Sequence, residues 1–147
     1  MINTIHNNVI ISIQGSQIIP DFGEPERVEL ITPGRLTREG GDYLLTYRES
    51  ELTGLEGTTT TLRVEGPRVT LSRVGEVCSH MVFEQGRNHL SYYETGEGPL
   101  TVGVSACRVR SALTDEGGSI EVDYQIEMDQ LFSGRNHIKV QVSALKS

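Results

Sequence analysis

Residues 118–129 read Gly118-Ser119-Ile120-Glu121-Val122-Asp123-Tyr124-Gln125-Ile126-Glu127-Met128-Asp129. From Ile120 onward, apolar or aromatic residues at even positions alternate without a break with acidic or amide residues at odd ones. Successive side chains of an extended strand point to opposite faces. The stretch is therefore a strand with one face on a core and an acidic face in water. No segment of useful length carries the 3.6-residue period of a helix.

Composition extends this reading to the whole chain. Val, Ile and Thr supply 37 of the 147 residues and Ala only three. β-Branched side chains suit a pleated surface, whereas Ala is the strongest helix former. Sixteen glycines, standing singly or in pairs, punctuate many short elements. A chain of this length buries a core without staples, which predicts one domain over residues 1–147.

Alternation and turn residues predict strands over 8–17, 26–39, 42–49, 58–65, 68–74, 77–84, 87–94, 98–113, 118–129 and 136–144. The fold class is all-β. Pro33-Gly34 interrupts the second strand, which is read as one bulged strand. Ten strands in an up-and-down order let the last lie antiparallel to the first, giving a closed antiparallel β-barrel without edges. Tight turns at 40–41, 65–67, 85–86 and 115–118 then share one end with both termini. The looser connections at 18–25, 50–57, 94–98 and 130–135 frame a mouth at the other. Leu100, Val102, Val104 and Ala106 set an inward phase that would carry Arg108 and Arg110 into the barrel. A bulge near Ala106-Cys107 keeps both arginines outside.

The formal charge of -7 argues against nucleic-acid and anionic-membrane partners, which need an excess of Lys and Arg. No signal-peptide pattern is present, so a cytoplasmic address is expected, with Cys78 and Cys107 as free thiols. The four histidines have no zinc spacing, and no nucleophile-base arrangement emerges. Neither a metal, a cofactor nor a catalytic residue is predicted.

Residues 47–62, Tyr47-Arg48-Glu49-Ser50-Glu51-Leu52-Thr53-Gly54-Leu55-Glu56-Gly57-Thr58-Thr59-Thr60-Thr61-Leu62, are the most distinctive stretch. With the spaced Met81, Phe83 and Gly86, then Tyr93, Thr95 and Gly103-Val104, the chain resembles the YwiB-like family of uncharacterised bacterial proteins over nearly its whole length. The resemblance implies a calycin (lipocalin-like) β-barrel in the cytoplasm and brings no activity with it. The chain departs from the family pattern at Gly96-Glu97, where a Pro-aromatic pair would be expected.

Strand parity supplies a candidate site. Tyr47 and Glu49 share the inward face with Tyr43 and Leu45, Thr58 and Thr60 with Leu62 and Val64, and Arg73 with Val69 and Leu71. Ser79 shares its face with Met81 and Phe83. In the up-and-down order these residues meet at the loop-bearing rim, beside Tyr93. Glu49 and Arg73 lie two strands apart, about 10 Å at the backbone, within reach of long side chains. Such a pair is either a structural network closing the barrel or part of a ligand site. Glu51 and Glu56 are read as solvated loop charges.

The leading expectation is a non-enzymatic barrel that binds a small polar or anionic molecule at the loop-bearing end, through Tyr47, Glu49, Thr58, Thr60, Arg73, Ser79, Met81 and Tyr93. The first alternative is a packed barrel acting as an interaction or structural module. An enzyme is the third.

Overall fold

The computed structural model describes residues 4–18, 26–49, 57–75, 78–95, 98–128 and 131–145. Ten strands run β1 Thr4–Ile18, β2 Glu26–Glu39, β3 Asp42–Arg48, β4 Thr58–Glu65, β5 Arg68–Gly75, β6 Cys78–Glu84, β7 Asn88–Thr95, β8 Gly98–Thr114, β9 Gly117–Met128 and β10 Leu131–Ala144. Each pairs antiparallel with its sequence neighbours, and β1 pairs with β10, from Val9↔Ala144 to Ile18↔Arg135, to close the barrel. The all-β, closed up-and-down architecture is thus the one the alternation predicts.

The inward faces form one core. Val9, Ile11, Leu36, Leu45, Leu62, Val69, Phe83, Val104, Ile120 and Val140 are all buried in it. Phe83 and Tyr124 reach across with ring centroids 4.7 Å apart, tilted by 50°. Glu121 and Asp123 lie on the outer face of β9, as the opening stretch requires.

The bulge expected in β8 is present as a register shift between Ala106 and Arg108, and both Arg108 and Arg110 are exposed. Beyond the shift β8 pairs with β9 alone among the described residues, while Gln85 Oε1 accepts a hydrogen bond from the Val109 amide at 3.2 Å. The β8–β9 turn then meets β2 and β3. Arg38 Nη1 and Tyr43 Oη each donate to Asp115 at 3.0 Å. β3 and β8 stand five places apart in the ring, so this contact crosses the tight-turn end of the barrel.

Two expectations need correction. β2 is one strand but carries no bulge, since its register with β1 runs unbroken from Thr4↔Glu39 to Gln17↔Glu26. Pro33 is tolerated because the β2–β3 ladder starts only at Arg35↔Thr46, so, among the described residues, 26–34 pair with β1 alone where a central strand has two neighbours. Gly34 is required for a different reason. A Cβ there would collide with Ile11 and stand 2.7 Å from the Thr46 carbonyl oxygen. Of the four looser connections, two are tight: the pairs Thr95↔Gly98 and Leu131↔Met128 leave two residues each. Ser133-Gly134, expected within the 130–135 connection, instead sits at a bulge inside β10, between Phe132 and Gly134. The long connections at this end are therefore β1–β2 and β3–β4.

Candidate functional site

Register alone assembles the loop-bearing rim. Tyr47 pairs with Thr60, Thr60 with Arg73, Arg73 with Ser79 and Ser79 with Tyr93, one row across five adjacent strands. Below it Leu71 pairs with Met81. Above it the Glu49 amide donates to the Thr58 carbonyl at 2.8 Å, which extends the β3–β4 pairing one residue past β3. Thr58, Thr60, Ser79 and Met81 are all buried. The side chain of Tyr93 lies outside the described residues, as do Glu51 and Glu56 entirely.

Glu49 is the centre of the cluster. Its side chain is 2% exposed, its Oε1 accepts a 2.6 Å hydrogen bond from Thr60 Oγ1, and Arg73 Nε lies 3.7 Å from the same oxygen. That separation makes an ion pair but exceeds hydrogen-bond length. Arg73 Nε and Ser79 Oγ are buried without a hydrogen-bond partner among the described residues. Burial, and then the Glu49 charge beside it, push the Tyr47 phenol well above its ordinary range, so it stays neutral.

Beneath this cluster lies a cavity of about 280 Å³ inside the barrel. Its wall is apolar, with Leu30, Leu62, Val69, Phe83 and Val140 among its side chains, and among the described residues Glu49 and Arg73 are its only charged lining residues. The cavity reaches the place where β2 and β3 part: Leu30 stands on one side of that gap and Tyr47 and Glu49 on the other. Sequence reasoning found the rim but not the cavity, because a void depends on how side chains from every strand fill the middle.

A second, wider and more polar pocket of about 540 Å³ lies by Cys107, Arg108, Asp123 and His137. Cys78 and His80 lie on the outer face, half-buried and exposed, with His80 Nδ1 3.3 Å from Ser72 Oγ. His137 is held by Asp123 at 2.5 Å and by Glu121 at 3.6 Å. Among the described residues no three His, Cys, Asp or Glu side chains are placed to hold a metal ion. No helix is long and apolar enough to cross a membrane.

A family model described as "Domain of unknown function (DUF1934)" matches residues 11–140. No curated protein matches the chain by sequence. Among solved structures the barrel is similar to the crystal structure of ywiB protein from Bacillus subtilis, with a TM-score of 0.83 at 20% sequence identity over 96% of this chain and 94% of that one. At that identity the likeness is one of fold, and the fold it supports is the ten-stranded barrel.

Proposed function

The chain belongs to the DUF1934 family, a domain of unknown function, and from that premise we propose that its barrel binds a small molecule in the interior beneath the rim. The observation that carries the reading is the cavity of about 280 Å³, close to the lower end of small-molecule sites at roughly 300 Å³. An apolar wall with a few convergent polar groups is how such sites combine affinity with orientation. Here the wall supplies the affinity, and Glu49 and Arg73, its charged lining residues among those described, supply the orientation. The packed-barrel alternative loses support from the cavity, since a scaffold has no use for one. Among the described residues its exposed large apolar side chains are Ile31, Val74 and Leu90, on three different strands, and Leu145, just past β10.

Binding without turnover is the reading that this geometry favours. The carboxylate of Glu49 is already engaged by Thr60 and Arg73, and the Tyr47 phenol is held neutral. The up-and-down order around an internal cavity also favours a calycin-like classification, and the acidic charge with free thiols favours a cytoplasmic address.

Native mass spectrometry of protein purified from its own host tests the proposal. Reproducible extra mass that disappears on denaturation is expected, together with its loss in Val140→Phe, which fills the cavity wall. A mass equal to that of the bare chain, with both proteins indistinguishable, would contradict it.

A further inference from the structure

The charge balance of the rim narrows what the cavity takes. Among the described residues Arg73 and Glu49 are the only charged groups lining it, and they lie 3.7 Å apart. A second anion placed against Arg73 would also stand close to Glu49. Attraction and repulsion would act over similar distances and nearly cancel, while the cost of stripping water from the anion would remain. A cation placed against Glu49 meets the same cancellation at Arg73. A neutral group escapes it.

The unsatisfied atoms then decide the polarity. Among the described residues Arg73 Nε is a buried donor without a hydrogen-bond partner, and Arg73 lines the cavity; the hydroxyl of Ser79, its cross-strand partner, is likewise without one but does not line it. Buried donors left unpaired are unfavourable, and an acceptor brought by a ligand relieves them. The Glu49 oxygen that faces Arg73 is already taken by Thr60. The volume sets the size, since about 280 Å³ corresponds to roughly nine water-sized portions of about 30 Å³ each.

We infer that the ligand is a neutral, mostly apolar molecule of about nine non-hydrogen atoms, with a carbonyl or hydroxyl oxygen that accepts a hydrogen bond from Arg73. The inference rests on the proposed binding role of the cavity and names its ligand class.

Four eight-carbon probes that differ in their head group provide the test: octan-2-one, octan-1-ol, octanoate and octylamine, titrated calorimetrically into the whole protein at neutral pH. The ketone and the alcohol are expected to bind about tenfold or more tightly than the two ions. Arg73→Lys keeps the charge but removes the Nε donor, and Arg73→Met removes both; each is expected to weaken the ketone by about tenfold. Octanoate or octylamine binding as tightly as the ketone would overturn the inference and leave the cavity's binding role standing. Undiminished ketone affinity in both Arg73 variants would overturn the assignment of the donor. If none of the four probes binds, the inference and the binding role fall together.

Discussion

Arg73→Met leaves the Glu49 carboxylate buried with hydrogen bonds from Thr60 and Tyr47 but without the counter-charge of the cluster. An uncompensated buried charge is strongly unfavourable, so urea unfolding should report a loss of about 3 kcal/mol. If the pair only closes the barrel, Glu49→Gln combined with Arg73→Met should recover much of that loss, because the charge and its counter-charge leave together. If the pair serves binding, the double variant should be as stable as the parent or more so, yet lose co-purifying mass. Tyr47 makes a pH prediction. Its phenol is raised above the ordinary value of 10.0, chiefly by burial, so the neutral form belongs to the folded state. The stabilisation is complete below that value and is lost as pH rises above it, since the unfolded chain then ionises more readily. Absorbance titration should find at least one tyrosine still protonated at about pH 11 in the native protein and ionising on alkaline unfolding. Ionisation of all five tyrosines while the barrel is intact would sink this account.

The β8–β9 turn reaches β2 and β3 through a single residue, Asp115. Asp115 accepts from both Arg38 and Tyr43, but its side chain is 35% exposed and that of Arg38 30%, so solvent screens part of the interaction. Asp115→Ala should cost about 1 kcal/mol and speed hydrogen exchange in residues 108–114, which among the described residues pair with β9 alone. Unchanged exchange there would mean that the hairpin is held by packing alone. The elements themselves were legible in the sequence because period-two alternation survives in almost every strand. The β8 bulge was legible too, since the inward phase of Val104 and Ala106 conflicts with that of Val109 and Leu113. Other features were not. Pro33-Gly34 looks like a break until the end of the β2–β3 ladder is known, and Ser133-Gly134 reads as a turn although it sits at a bulge. The Tyr43–Asp115 contact joins residues 72 apart and leaves no local trace. The rim row was readable because parity and strand order suffice to align Tyr47, Thr60, Arg73 and Ser79.

The whole molecule stands or falls on closure and on what the closed sheet encloses. Ile10 to Ile13 and Ile138 to Val142 all lie in the β1–β10 ladder, so their amides should exchange as slowly as those of interior strands. Fast exchange in both segments would make the sheet open. Closure also separates two sets of apolar side chains: Leu30, Leu62 and Val140 line the cavity, whereas Ile31, Val74 and Leu90 are exposed. Methyl NMR during titration with octan-2-one distinguishes them most directly. Binding inside the barrel predicts saturable shifts at Leu30, Leu62 and Val140 with Ile31, Val74 and Leu90 unmoved. Shifts confined to the outer methyls, or no shift at any of the six, would contradict it.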